Sequence, residues 1–221
     1  MRTKWIFIHG GWGGSWQWSP VRRELKQRGI ESYAPDLPGM GSLSGKGINL
    51  QNFVNHISEI VKYDEDPVNI AAFSFGGMTA TALTDKLRDQ IGKLVYIDAF
   101  VPEPGQSFSH IAGKKITRQI KAYSHVMGDE EMIPPFFEID PRYRSHPLNT
   151  LFTPVDYIES DLEKLKPIYV ECTAKDREWT FTPLLEKMAH SIRRKNWTVY
   201  NIESDHMPMF SHTEELLEIL L

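Results

Sequence analysis

The chain has 221 residues, 25 basic against 29 acidic, and a single cysteine, Cys172. That length suits one domain, residues 1–221, able to bury roughly 70% of its unfolded surface. The near-neutral balance argues against a nucleic-acid partner, which calls for a clustered basic face, and one cysteine permits no intrachain disulfide, in keeping with a reduced, cytoplasmic setting.

In chain order, Met1-Arg2-Thr3-Lys4 runs straight into Trp5-Ile6-Phe7-Ile8. This apolar run is too short for a signal peptide or a membrane span, and reads as a strand near 4–8. His9-Gly10-Gly11-Trp12-Gly13-Gly14 follows as a glycine-rich turn. It lacks the Lys-Ser/Thr of a P-loop and the G-x-G-x-x-G spacing of a dinucleotide site, so nucleotide binding is not expected. Helical runs near 16–28, 49–63, 76–90, 181–194 and 212–220 alternate with strand runs near 30–34, 68–73, 93–99, 167–172 and 197–202. Most of the strands are short, apolar and rich in valine, isoleucine and aromatics, as in parallel sheets buried on both faces. The alternation predicts a doubly wound, mostly parallel sheet of about six strands with helices on both faces. The sequon Asn196-Trp197-Thr198 falls inside the last of these strands and reads as coincidence.

About seventy residues separate Asp98 from Pro167, far beyond a helical crossover. The stretch is punctuated by prolines (Pro102, Pro104, Pro134, Pro135, Pro141, Pro147, Pro154) and carries aromatics such as Phe108, Tyr123, Phe136, Phe137 and Tyr143. An insertion leaving the carboxyl end of a strand lies over the crevice where open α/β sheets bind ligands, so 101–165 is expected to form a helical cap. Lys114, Lys115, Arg118 and Lys121 within it are spaced like the wet side of a helix.

The chemistry centres on Ser74, between the strand run ending at Phe73 and the helical run opening at Gly76. A serine exposed at a tight strand-to-helix turn needs small neighbours two residues away on either side, and here they are Ala72 and Gly76. Glycine is usual at both places, so Ala72 is a mild departure. A serine hydroxyl needs an imidazole as base, and the imidazole needs an acid to fix its tautomer. His206 follows the last strand and lies on the same rim as Ser74, whereas His56, His190 and His212 fall on predicted helices and His110, His125 and His146 in the cap. For the acid, Asp176 follows the strand 167–172 on the same rim and is favoured; Asp98, ending the preceding strand, is the alternative, and Glu178 a distant third. The glycine turn supplies backbone N–H groups for an oxyanion hole, with Phe75 N–H as the second donor.

These features resemble the α/β-hydrolase superfamily, and within it the branch of plant methyl-salicylate-type esterases, hydroxynitrile lyases and their bacterial esterase relatives. The matching stretches are His9-Gly10-Gly11-Trp12 with Trp16, Pro35-Asp36-Leu37-Pro38-Gly39-Met40-Gly41-Ser42, Phe73-Ser74-Phe75-Gly76-Gly77-Met78, Tyr169-Val170-Glu171-Cys172-Thr173 and Ser204-Asp205-His206-Met207-Pro208. The resemblance implies Ser74 as nucleophile, Asp176 as acid, His206 as base, and Gly11 and Phe75 as oxyanion donors. Two departures stand out: the loop Cys172-Thr173-Ala174-Lys175-Asp176 is one residue longer than the usual Cys-Thr-x-Asp, and the cap is shorter than in the plant members. The lyases of the branch carry threonine and lysine where this chain has Gly10 and Met207, which favours ester hydrolysis over cyanohydrin cleavage. The expected function is a serine esterase acting on small apolar or aromatic esters, with Trp12, Met207 and Phe210 against the substrate. No cofactor or metal, no nucleic acid and no membrane are expected. A small-molecule receptor of the same fold, or hydroxynitrile lyase or thioesterase chemistry on the same triad, are the alternatives.

Overall fold

The computed structural model describes residues 4–40, 47–128, 130–136 and 140–221. Gly41 and Ser42 of the stretch after the second strand, and Phe137 of the cap, lie outside the described residues.

In chain order the elements are β1 (Lys4–Ile8), α1 (Ser19–Gln27), β2 (Glu31–Tyr33), α2 (Leu50–Val61), β3 (Val68–Phe73), α3 (Gly76–Leu87), β4 (Ile91–Ile97), α4 (Phe108–Met127), β5 (Met132–Ile133), β6 (His146–Pro147), α5 (Glu159–Lys164), β7 (Ile168–Cys172), α6 (Thr182–Ile192), β8 (Thr198–Ile202), α7 (Pro208–Ser211) and α8 (Thr213–Leu220). The main sheet has six strands in the order β2-β1-β3-β4-β7-β8, every pair parallel. This is the doubly wound parallel sheet expected from the alternation of runs, and it agrees with the α/β-hydrolase fold that the resemblance implies.

Strand alternation sends successive side chains to opposite faces and builds two cores. Trp5 and Phe7 of β1, with Ala71, Phe73, Val95 and Ile97, pack against Val21 and Leu25 of α1 and Leu216, Leu217 and Leu220 of α8. Ile6 and Ile8, with Ile70, Ala72, Leu94 and Tyr96, meet Phe53 and Ile57 of α2, Met78 and Leu83 of α3, and Leu185 of α6. The central strands are buried on both faces, which is why they read as apolar runs rather than alternating ones.

The winding reverses between β1 and β3, where the chain first builds outward to β2 and then crosses back. Carboxyl ends of strands at such a reversal form the ligand crevice of open α/β sheets. The glycine turn leaves β1 there, and Ser74 leaves β3 beside it. β4 lies next to β3, with Phe73 in register with Ile97, so Asp98 emerges at the level of Ser74.

The insertion between β4 and β7 is less helical than expected. Its base is closed by an antiparallel bridge between Gln106 and Val155. Within it stand α4, kinked at Gly113 (φ 76°), the short antiparallel pair β5–β6, and α5. Among the described residues no helix is long and apolar enough to cross a membrane.

Candidate active site

Ser74 holds a left-handed backbone conformation, φ 53°, between β3 and α3. Such a conformation is unusual for a serine and persists only where the surroundings enforce it. Here Ser74 N–H donates to Ile97 O at 3.1 Å, while its carbonyl accepts from Gly77 N–H at 3.1 Å and Phe100 N–H at 3.0 Å. Close packing explains the small neighbours. A Cβ on Gly76 would lie 2.7 Å from His9 O and 2.9 Å from Ile8 O, so only glycine fits. Ala72 is fully buried and its methyl is tolerated, which disposes of the departure noted in the sequence.

His206 Nε2 lies 2.9 Å from Ser74 Oγ, and His206 Nδ1 lies 2.7 Å from Asp98 Oδ2. With Asp98 ionised, Nδ1–H donates to the carboxylate and Nε2 is free to accept the serine proton. The imidazole is flanked by the rings of Phe73 and Trp179, each 4.6 Å away centroid to centroid. Asp98 is fully buried directly after β4, and its backbone N–H donates to Val170 O at 2.7 Å.

The expectation that Asp176 would hold the second imidazole nitrogen is therefore corrected: Asp98 does so. The reason is which side chain the loop after β7 turns inward: Lys175 is buried there, its Nζ bonding Asp98 Oδ1 at 3.0 Å and the Cys172 carbonyl. Asp176 is turned outward; it is exposed, and its Oδ1 accepts from Glu178 N–H at 2.9 Å. Asp176 still lines the cavity, while Glu178 is exposed and does not.

The glycine turn is closed by Gly13 N–H donating to Gly10 O at 3.3 Å, with Trp12 left-handed at φ 58°. Gly10 N–H donates to the Gln17 side chain at 3.0 Å. Gly11 and Phe75 face one another, a Cβ on Gly11 falling 3.7 Å from Phe75 Cβ. His9, fully buried, ties this turn to the loop after β2: Nδ1–H donates to Gly10 O at 2.9 Å and Nε2 accepts from Leu37 N–H at 3.0 Å. Burial holds its pKa down to about 4, so it is a neutral strut.

A cavity of about 300 Å³ opens between these elements and the insertion. Trp12, Phe75, Phe100, Phe108, Trp179 and Phe181 make its walls mostly aromatic. Trp12 and Met207 line it as expected. Phe210 does not: Pro208 starts α7 immediately, and Phe210 is carried outward, 43% exposed, to pack beside Trp16 at 6.0 Å.

The insertion also supplies residues that sequence reasoning left in the background. Trp12 Nε1–H donates to Ile133 O at 2.9 Å, and Arg144 N–H donates to Trp12 O at 2.9 Å, so the cap is bonded to the glycine turn. His146 of β6 is fully buried against Phe75 and Trp12, with Nε2 2.7 Å from Thr150 Oγ1. Burial holds its pKa down to about 3. Among the described residues no group of three or more His, Cys, Asp or Glu is placed to hold a metal.

Residues 5–219 match the alpha/beta hydrolase family. The chain belongs to that family. Among relatives, the carbendazim hydrolyzing esterase of Nocardioides sp. (strain SG-4G) is 31% identical over 121 residues, a segment covering 53% of this chain and half the length of that protein. Methylesterase 7 of Arabidopsis thaliana is 23% identical over a match that covers 100% of this chain and 95% of its own. Among solved structures, an extracellular alpha/beta-hydrolase from a Paenibacillus species, described as sharing structural and functional homology with tobacco salicylic acid binding protein 2, superposes with a TM-score of 0.81 at 19% identity, covering 99% of this chain and 97% of that one. Polyneuridine aldehyde esterase follows at a TM-score of 0.77 and 20% identity, covering 100% and 98%. These structural likenesses speak for the hydrolase fold, and the curated relatives named here are esterases, in line with a carboxylic ester hydrolase.

Proposed function

We propose that this α/β-hydrolase cleaves small, uncharged carboxylic esters through an acyl-enzyme intermediate, with Ser74 as nucleophile, His206 as base and Asp98 as acid. The observation that carries it is the hydrogen-bonded series Ser74 Oγ, His206, Asp98, with contacts of 2.9 and 2.7 Å, at the wall of an apolar cavity. Nucleophile, base and orienting acid at these distances are what acyl transfer requires.

In the first half-reaction His206 Nε2 takes the Ser74 proton as Oγ attacks the ester carbonyl. The new O–C bond pushes the carbonyl electrons onto oxygen, and backbone N–H groups of Gly11 and Phe75 hold that oxyanion. Collapse breaks the bond to the alcohol oxygen, which leaves with the proton from His206. Water, deprotonated by the same imidazole, then attacks the acyl carbon and Ser74 regains its proton.

Size and charge narrow the substrate. About 300 Å³ is at the small end of ligand cavities. The described lining residues include Asp176 and Asp205 but no lysine or arginine, so nothing there pairs with a carboxylate on the substrate. The esterase names of the relatives agree with this reading.

The test is hydrolysis of short p-nitrophenyl and aryl methyl esters by wild type and Ser74→Ala. Loss of the nucleophile lowers kcat by on the order of 10⁴-fold or more while the fold is kept. A variant retaining a tenth of wild-type activity would remove Ser74 from its role, and a wild type that binds a small ligand tightly but turns over no ester would make the protein a receptor.

A further inference from the structure

Lys175, in the loop after β7, has no part in the scheme above, and it is buried. Its side chain is 3% exposed, its partner Asp98 0%. A lysine is rarely placed so deep unless paired, and breaking such a pair leaves an uncompensated charge. Lys175 Nζ lies 3.0 Å from Asp98 Oδ1, and the other oxygen of the same carboxylate, Oδ2, lies 2.7 Å from His206 Nδ1. One carboxylate thus bridges the Lys175 ammonium on one side and the His206 imidazole on the other.

We propose that Lys175 is a positioning residue that sets the pH at which His206 becomes available as base. This rests on the esterase reading above. With Lys175 present, Lys175 and Asp98 form a neutral unit, so a proton on His206 adds a charge that the carboxylate no longer balances alone. Without it, the same proton would neutralise Asp98 and be held to higher pH. Lys175 therefore favours the neutral imidazole, the form that can accept the Ser74 proton. The ammonium also fixes the carboxylate plane, since Nζ is anchored as well on the Cys172 carbonyl.

The other groups facing this centre do not replace it. Asp205 and Asp176 lie on the cavity side, engaged with Met207 N–H at 2.9 Å and Glu178 N–H at 2.9 Å, and their charges act in the opposite sense to Lys175. Tyr143, on the same side, donates to Met207 Sδ at 3.3 Å, and burial raises its phenol. Beneath the sheet end, Tyr169 donates to Ala99 O at 3.0 Å, and burial pushes its phenol and the Cys172 thiol upward, so both are neutral. Lys175 is the cation that touches Asp98 among the described residues.

The experiment compares kcat/KM against pH for wild type, Lys175→Gln and Lys175→Arg on a p-nitrophenyl ester, with folding checked by circular dichroism. Glutamine keeps a donor for Asp98 and removes the charge; arginine keeps both. A charge within about 4–6 Å shifts a titration by roughly 1–3 units, so the acid limb of Lys175→Gln should move up by about one unit or more. Its rate then falls about tenfold below the wild-type limb and recovers at alkaline pH, while Lys175→Arg keeps the wild-type limb. A Lys175→Gln profile that superposes on wild type, or is lowered by one factor at every pH, would overturn the proposal. Should that variant not fold, Lys175→Met, which fills a similar volume without a charge, is profiled in its place, and a limb that superposes on wild type would equally overturn it. A wild type without Ser74-dependent ester hydrolysis would instead fail the underlying reading.

Discussion

Replacing Asp98 by asparagine keeps the side-chain shape and removes its charge, and the neighbourhood dictates which way the new amide points. Lys175 Nζ can only donate, and it lies 3.0 Å from the position of Oδ1. The amide oxygen is therefore held toward Lys175 and the NH₂ toward His206 Nδ1, 2.7 Å from the position of Oδ2. Two donors cannot face each other, so the imidazole switches to the tautomer with its proton on Nε2, facing Ser74 Oγ at 2.9 Å. That tautomer cannot accept the serine proton. The expected loss is about 10⁴-fold in kcat at neutral pH, or about 5 kcal/mol, with little change in KM. The same substitution leaves Lys175 without its counter-charge, at a cost of about 3–5 kcal/mol in stability, so rates are compared well below the melting temperature of both proteins. Asp176→Asn is the control. Its carboxylate is exposed and caps Glu178 N–H, a bond the asparagine oxygen can also accept, so kcat should change by no more than about 3-fold. The assay is steady-state hydrolysis of p-nitrophenyl acetate or butyrate. A large loss for Asp176→Asn with a small one for Asp98→Asn would refute the assignment. Comparable large losses for both would mean a shared network in which neither is the acid alone.

Two further outcomes are expected. Met207 places an uncharged thioether where cyanohydrin cleavage calls for a cation beside the departing cyanide, so mandelonitrile should be cleaved negligibly; robust cyanide release dependent on His206 would overturn the preference for ester hydrolysis. His9 and His146 are buried neutral, with pKa values lowered from 6.5 to about 4 and about 3, so the unfolded chain binds more protons below pH 6.5 and stability falls as the pH drops from there toward the folded values. Each should cost about 2 kcal/mol by pH 5, read from urea melts at pH 7.5, 6 and 5, with His146→Gln flattening the dependence; melts that do not shift would mean these rings are not buried in the neutral form.

What the sequence revealed of the site follows from how local each feature is. Ser74 was legible because its environment lies within a few residues: an apolar strand, a serine, then Gly76, where no Cβ fits beneath His9 O. His206 was legible because it follows the last strand of a doubly wound sheet. The partner of His206 Nδ1 was only half legible, Asp98 standing as the alternative to Asp176, because the deciding fact is which of two adjacent side chains, Lys175 or Asp176, the loop turns inward. Phe210 was misplaced for a similar reason. Its place depends on helix phase, set by Pro208 opening α7 directly after Met207. In the insertion, prolines and the Gly113 kink break any period, so neither the β5–β6 pair nor the burial of His146 has a sequence signature.

The strand order explains why two acid positions compete at all. Ser74 leaves β3; β4 is its neighbour, β7 the next, and β8, which precedes His206, lies beyond that. The loop bearing His206 must lean back over the end of β7 to reach Ser74, and Thr173 N–H and Ala174 N–H, each donating at 2.9 Å to Ile202 O and Ser204 O, hold it there. The imidazole thus arrives above both β4 and β7, within reach of a carboxylate at either strand end. Here the loop after β7 turns Lys175 inward and Asp176 outward, and the ring bonds the Asp98 carboxylate that follows β4. An inward Lys175 beside an inward acid on both strands would bury two carboxylates and one ammonium; with Asp176 turned to solvent the charges balance. Acid position and lysine are on this view a single arrangement, in which the side chain that one loop turns inward decides both.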